Sequence, residues 1–240
     1  MLLLLITGGI LASFIFVVLE EKSFNFKFLF RRSKCNHCNH TIDAVALIPI
    51  FGYILSRGRC NKCHRYIPFI YVCSEVVLAL LFIVPSLVYI QFRDFSLYYL
   101  LIVFLAPLAL YDFKHYKIPN FTLVILLTTG LYVTRFNYVD VIDDLIIITL
   151  AHVIYILFDK KIGYGDIKLL SVITLITPTL LFSFILLFSF IVGGFYVIIM
   201  EIIKNSDNRK IPYVPFVATS TILTFIIYDD LSTIYFGGFL

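Results

Sequence analysis

The sequence predicts an all-helical polytopic membrane protein with about eight transmembrane helices and a small cytosolic four-cysteine module. The first observation is composition: 61% of the 240 residues are hydrophobic and 14% are charged. Soluble globular proteins have roughly 45–50% and about 25%, respectively. A chain with so large an apolar fraction needs a lipid environment. The other two observations are the spacing of the apolar runs and the placement of lysine and arginine.

Eight nearly charge-free stretches have lengths close to the 17–25 residues that cross a hydrocarbon core. The stretches 144–158 and 167–179 are short for a full crossing, which is acceptable for helices packed inside a bundle. No clear small-residue cleavage site follows the first stretch, so we interpret it as a retained helix, with a signal peptide as the alternative. The eight stretches are 2–19, 69–91, 95–111, 118–134, 144–158, 167–179, 181–203 and 213–228.

Lysine and arginine test this assignment, because cytoplasmic loops retain positive charge during insertion. With the N-terminus outside, the inner loops hold 17 of the 19 basic residues, and the outer loops hold only Arg93 and Arg135. The outer loops also carry the acidic residues Asp94, Asp140, Asp143, Asp144, Asp229 and Asp230. A wrong number of spans would have scrambled this pattern.

The predicted organisation is a first transmembrane helix (1–19), a cytosolic zinc-binding segment (20–68) and a transmembrane domain (69–240). The net charge of +4 is modest, and the basic residues lack the aromatic interleaving typical of nucleic-acid binding. We therefore expect membrane lipid, and not nucleic acid, as a partner.

The cytosolic segment contains two CxxC pairs, Cys35 with Cys38 and Cys60 with Cys63, separated by 21 residues. Two such knuckles complete the tetrahedral thiolate shell of a closed structural zinc site. Disulfides, a redox role or unliganded thiols are the alternatives, although the cytosol keeps thiols reduced. A segment this short has too little apolar surface to fold alone, so a metal would supply much of its folding free energy.

Two carboxylates stand next to apolar spans at the same predicted face of the membrane. Asp112 follows one span and Asp166 precedes another, with 53 residues between them. An acidic group at such a depth usually marks a function or a partner. The alternative is that each aspartate pairs at the interface with a nearby lysine, Lys114 or Lys168.

The residues around the two aspartates favour a shared site. Gly163 and Gly165 remove side chains just before Asp166, which allows positive φ angles or the close approach of a substrate strand. Ile118-Pro119 sets the start of the next helix and favours a loop at His115. Two carboxylates in one site share a proton, so the ionised member can activate water while the protonated one donates.

These residues resemble the type IV prepilin peptidases, a family of membrane aspartic proteases with a GxGD motif. The resemblance rests on an ordered set that covers most of the chain. The set comprises the first apolar span, the two CxxC pairs, Asp112 followed by Ile118-Pro119, Gly163-Tyr-Gly-Asp166-Ile-Lys168 and Ile211-Pro-Tyr-Val-Pro-Phe-Val-Ala218.

The resemblance implies that Asp112 and Asp166 are the catalytic dyad of a plasma-membrane enzyme in bacteria. It implies pilin-like precursors as substrates, with a basic leader cut after glycine on the cytosolic face, in pilus assembly, competence or secretion. In many relatives the enzyme then methylates the new N-terminus with S-adenosylmethionine. Here Ser13-Phe-Ile-Phe-Val17 departs from the family's first-span motif, so methylation stays open.

A hypothesis from another class also fits the motifs. In it the protein is a non-enzymatic membrane scaffold whose zinc module recruits a partner, or a transporter whose aspartates handle ions. Neither alternative requires the two carboxylates to cleave a peptide bond.

Overall fold

The computed structural model describes residues 1–20, 32–35, 37–158, 163–204, 210–235 and 237. Several of the predicted inner-loop cations lie outside these residues: Lys22, Lys27, Arg31, Lys160, Lys161 and Arg209. The chain divides into two compact units, Met1–Ser86 and Leu87–Leu240. Within the described ranges it forms helices and turns, with two isolated β-bridges.

Every predicted apolar stretch coincides with a helix. Five of these helices, among the residues described, are long and apolar enough to cross a membrane, so the protein is a polytopic helical membrane protein. The helices are α1 (Leu2–Glu20), α2 (Phe51–Leu55), α3 (Ile70–Leu87), α4 (Phe95–His115), α5 (Asn120–Thr134), α6 (Val141–Leu157), α7 (Tyr164–Ile176), α8 (Thr179–Lys204) and α9 (Val214–Tyr235).

In the first unit, α1 and α3 approach backbone to backbone. A Cβ added at Gly8 would lie 2.9 Å from the Ala79 Cα, so only glycine permits this contact. The Phe16 ring meets the Tyr71 ring edge-on at 5.1 Å, and the Tyr71 hydroxyl donates a hydrogen bond to Glu20. Between these helices the chain forms the cysteine segment, a short 3-10 helix (Ala44–Leu47) and α2.

In the second unit, α9 packs along α4 and α8, while α5 and α6 pack on α7. Local signals set the helix ends that this arrangement needs. The Asp94 carboxylate caps α4 by accepting from the Leu97 N–H at 3.0 Å, and Pro119 directly precedes α5. Because α4 and α7 are both core helices, the ends that carry the two aspartates are held by packing.

Candidate active site and metal centre

Asp112 lies in the last turn of α4. Its side chain is only 4% exposed. The expectation of a loop at His115 was wrong, because α4 continues through His115 and ends at Tyr116, which adopts a left-handed φ of 52°. The Tyr116 N–H donates to the Asp112 carbonyl at 2.7 Å. The helix therefore extends past Asp112 and fixes its backbone.

Asp166 lies in the first turn of α7, directly after the two glycines of the motif. Gly163 has a φ of −64°, so the expected positive φ is wrong at that position. Gly163 instead leaves room for the Asp166 side chain, because a Cβ at Gly163 would lie 2.6 Å from an Asp166 carboxylate oxygen. A Cβ at Gly165 would lie 3.3 Å from the Ile118 Cβ. The glycines thus let the Asp166 carboxylate and the Ile118 side chain close in on the start of α7.

The two aspartates lie near each other. Gly165, next to Asp166, faces Ile118 just beyond the end of α4, and the carboxylates are near enough for their charges to interact. The start of α9 completes the site, because the Val214 N–H donates to the Asp112 carboxylate at 3.3 Å. Tyr213, directly before Val214, lies near both aspartates. Three separate helix ends therefore meet around the pair.

Lys168 does not neutralise Asp166. Its ammonium donates to the Asn120 side-chain oxygen at 3.0 Å and lies 4.7 Å from the centre of the Tyr164 ring. Lys168 thus ties α7 to the start of α5. This arrangement disfavours the interfacial ion pair as an explanation of Asp166.

Sequence reasoning missed the part played by Tyr213 and Val214. It singled out residues 211–218 only for their resemblance to a family pattern. It also placed Asp144 among the acidic residues of the outer loops without assigning it a partner, whereas this side chain is 2% exposed. Asp144 accepts hydrogen bonds from the Thr174 hydroxyl and the Asp140 N–H, each at 3.0 Å. In the sequence, the position of Asp144 four residues after Asp140, the residue that caps α6, could have indicated this contact.

The four paired cysteines converge in the first unit. All four Sγ atoms lie within 4.8 Å of one another. The Cys35 and Cys63 sulfurs are 3.8 Å apart, and those of Cys38 and Cys60 are 3.9 Å apart. A tetrahedron with metal–sulfur bonds of about 2.3 Å has edges of about 3.8 Å. The thiols are free, so the cluster fits a tetrahedral metal site.

The two knuckles are built alike. In each one the residue after the second cysteine, Asn39 or His64, has a φ of 54°. Its N–H donates at 2.9 Å to the carbonyl of the first cysteine, Cys35 or Cys60. The repeated turn explains why a CxxC spacing recurs. The cluster comprises cysteines alone, as expected, and His37 instead contacts Arg65 at 3.0 Å between its Nδ1 and the guanidinium.

The electrostatics of the cluster suit a cation. Backbone N–H groups of Cys63 and Lys62 lower the pKa of the Cys60 thiol to about 6, and those of Cys38 and His37 lower the pKa of Cys35. The pKa of Cys63 is raised to about 11, because burial and the three other thiols outweigh the N–H of Arg65. A bound metal would have to displace that last proton.

Glu75 links the same segment to α3. Its side chain is 8% exposed, and it accepts from the Ile50 N–H at 2.7 Å. Ile50 has a φ of 64°, a conformation that costs a β-branched residue free energy. Glu75 therefore anchors a strained turn.

This architecture defines a class: a helical membrane protein with paired acidic groups in its bundle and a four-thiolate centre in a separate unit. Aspartic peptidases of membranes belong to that class. The chemistry available is proton transfer between two carboxylates and a water molecule. A metal ion held by all four cysteines would have a closed shell and leave no position for a substrate.

Comparison with known proteins gives the family. Residues 6–90 match the bacterial peptidase A24 N-terminal domain, and residues 99–198 match the type IV leader peptidase family. No solved structure matches the chain. The two matched regions together cover most of the sequence, so the chain belongs to the type IV leader peptidase family and is a peptidase.

Full-length relatives agree with this assignment. A protein of Bacillus subtilis is 26% identical over 97% of this chain and 96% of its own length. A protein of Aeromonas hydrophila is 28% identical over 87% of this chain and 76% of its own. One of Pseudomonas aeruginosa is 25% identical over 92% and 80%. All three are named prepilin leader peptidase/N-methyltransferase.

Gly163→Ala should lower peptidase activity by about 100-fold, because the new methyl group displaces the Asp166 carboxylate and small misplacements are costly in catalysis. The melting temperature should hardly change, since the atom that moves is the end of a flexible side chain. Gly194→Ala is the matched control, as nothing lies within 4 Å of its Cβ. Equal activity of the two variants would contradict the close-approach argument.

Proposed function

We propose that this protein removes the basic leader of type IV pilin-like precursors, with Asp112 and Asp166 as its catalytic dyad. The observation that supports the proposal is that Asp112 and Asp166, from distant parts of the chain, lie near enough for their charges to interact. The relatives' names supply the substrate class. The pilin-like leader is cut after a glycine, just before an apolar helix.

The reaction uses one proton shared by the pair. The ionised carboxylate takes a proton from water as the water oxygen attacks the scissile carbonyl carbon. The protonated carboxyl gives its proton to the carbonyl oxygen. Collapse of the tetrahedral intermediate breaks the C–N bond, and the leaving nitrogen takes a proton from the dyad. The two groups titrate as a unit.

The cysteine cluster, in this proposal, holds one structural zinc ion. Its four thiolates match the ligand preference of zinc, and its Sγ separations match a tetrahedral shell. Zinc would tie the two knuckles together and supply folding free energy to a segment with little apolar core. The side chains of Val45, Phe51, Ile54 and Leu55 in this segment are exposed.

In this proposal the leader is cleaved on the cytosolic side of the membrane. This part of the proposal rests on the 17 basic residues of the inner loops, which share a side with both aspartates and all four paired cysteines. Methylation would require S-adenosylmethionine as methyl donor. The first span departs from the family's motif, and this departure concerns methylation. The proposal is therefore limited to cleavage of the leader.

Asp112→Asn and Asp166→Asn should each reduce precursor cleavage by at least about 10²–10⁴-fold, because each removes one partner of the proton transfer. The measurement is loss of the leader, by gel shift or mass spectrometry, on co-expression with a pilin-like precursor. Asp143→Asn, an exposed aspartate in the first turn of α6, is the control and should cleave normally. Normal cleavage by either dyad variant would rule out the dyad, whereas a wild type that leaves the precursor intact would favour the scaffold or transporter hypothesis.

Metal analysis of the detergent-purified protein should find about one zinc per chain. Cys35→Ser and Cys60→Ser should lose it, because three ligands no longer close the tetrahedron. Cys73→Ser is the matched control, since this fifth cysteine lies outside the cluster. A zinc content near zero in the wild type, or an equal loss in the Cys73 variant, would contradict the assignment.

Reporter fusions test the membrane orientation. Alkaline phosphatase fused after Arg93 should be active, because that enzyme folds outside the cytosol, and green fluorescent protein fused there should be dark. The same two reporters fused after Lys117 should give the opposite result, since positive loops stay inside. Reversed signals would move both aspartates to the outer face.

A further inference from the structure

Tyr213 connects the loop before α9 to the middle of α8. Its hydroxyl oxygen lies 2.6 Å from the Ser189 Oγ. Ser189 is fully buried, and the Tyr213 ring also lies 6.2 Å from the Phe190 ring. A hydroxyl pair of this length, with its serine buried, is a specific contact between two segments that are 24 residues apart in the chain.

The direction of this hydrogen bond follows from the neighbouring one. The Ser189 hydroxyl donates to the Leu186 carbonyl at 2.7 Å. A serine has one hydrogen to donate, so while Ser189 donates to Leu186 the Tyr213 hydroxyl is the donor to Ser189. In that arrangement the phenolic hydrogen is directed to α8 and not to Asp166. Tyr213 is therefore an anchor, and it acts on the site through its backbone.

That backbone reaches the dyad. Tyr213 directly precedes α9, whose first N–H groups have no partner within the helix. Phe216 donates its N–H to the Tyr213 carbonyl at 3.0 Å, and Pro215 has no N–H to donate. The Val214 N–H is thus left for Asp112, to which it donates at 3.3 Å. Asp112 caps the start of α9 from another helix.

The first turn of α9 has a second contact with α8. The Phe216 ring lies against Gly193, where an added Cβ would come within 3.2 Å of a ring carbon. This ring contact is apolar and sets the spacing of the two helices, whereas the Tyr213–Ser189 hydrogen bond is directional and holds the residue next to Val214.

We propose that the Tyr213–Ser189 hydrogen bond positions the backbone N–H of Val214 on the Asp112 carboxylate, and so fixes one half of the dyad. The inference rests on the proposed function, because it assumes that Asp112 is catalytic. Backbone donors at a helix start stabilise negative charge. Asp112 is then the carboxylate that is ionised when water attacks, and Asp166 carries the proton.

The test is the kinetics of Tyr213→Phe, Ser189→Ala and the double variant on a pilin-like precursor with a basic leader that ends in glycine. Each single variant should lower kcat about tenfold with KM unchanged. The Val214 N–H is then no longer held in position on Asp112, while the surface that binds the substrate stays intact. The double variant should be no slower than either single one, since both remove the same hydrogen bond. Ser189→Thr keeps a hydroxyl and should restore most of the rate.

Ser220→Ala is the matched control. Ser220 is fully buried in α9, and its hydroxyl bonds only to the Phe216 carbonyl within that helix, at 2.6 Å. Its removal should leave kcat near the wild-type value. Rates are taken per folded molecule, by size-exclusion profile and melting temperature, so a loss of folded protein does not count as a loss of kcat.

The outcomes separate this inference from the proposed function. If the wild type cleaves, Asp112→Asn does not, and both Tyr213→Phe and Ser189→Ala keep wild-type kcat, the positioning role is wrong and the dyad stands. Multiplicative losses in the double variant, or a rise in KM alone, would also overturn the positioning role. If Asp112→Asn cleaves normally, the proposed function itself fails.

Discussion

The second unit depends on the cost of keeping carboxylates inside a helical bundle. An ionisable group away from water is expensive unless other groups meet its charge or share its proton. Asp112 meets this constraint with the Val214 N–H of α9, and Asp144 does so with the Thr174 hydroxyl and the Asp140 N–H. The helices must therefore end where these carboxylates need donors.

Helix ends are natural places for such chemistry, because only there are backbone N–H groups free of intrahelical partners. The end of α4 brings Asp112, the start of α7 brings Asp166, and the start of α9 brings the N–H donor. Pro215 removes one competing donor from the first turn of α9. Small residues then allow the pieces to meet, as Gly163 does for Asp166 and Gly165 for Ile118. The site is assembled from helix ends, and from the space that glycines leave between side chains, rather than from a binding loop.

The first unit solves a different problem. Its cysteine segment is short and many of its apolar side chains are exposed, so it has little core of its own. Two knuckles of the same design compensate by bringing four sulfurs within 4.8 Å. Glu75 adds a hydrogen bond that holds the strained Ile50 turn to α3. Coordination and a buried acceptor thus take the place of hydrophobic packing.

Some expectations failed for reasons that are local and physical. A proline four residues beyond His115 suggested a loop, but a left-handed Tyr116 allowed α4 to continue and then end abruptly. Glycines before Asp166 suggested positive φ, whereas Gly163 has an ordinary φ and serves by lacking a side chain. Both errors came from interpreting a residue by its conformational habit, when its neighbours in space decided its role.

The sequence alone determined the membrane class, the apolar helices, the two CxxC pairs and the two aspartates worth testing. These features depend on composition, on the length of the apolar runs and on short-range spacing, all of which are local properties of the sequence. Only the tertiary structure decided what surrounds those residues: the Val214 N–H on Asp112, the hydroxyl pair of Tyr213 and Ser189, and the buried state of Asp144. Such contacts join segments 24 to 102 residues apart, and no local pattern encodes a partner at that distance.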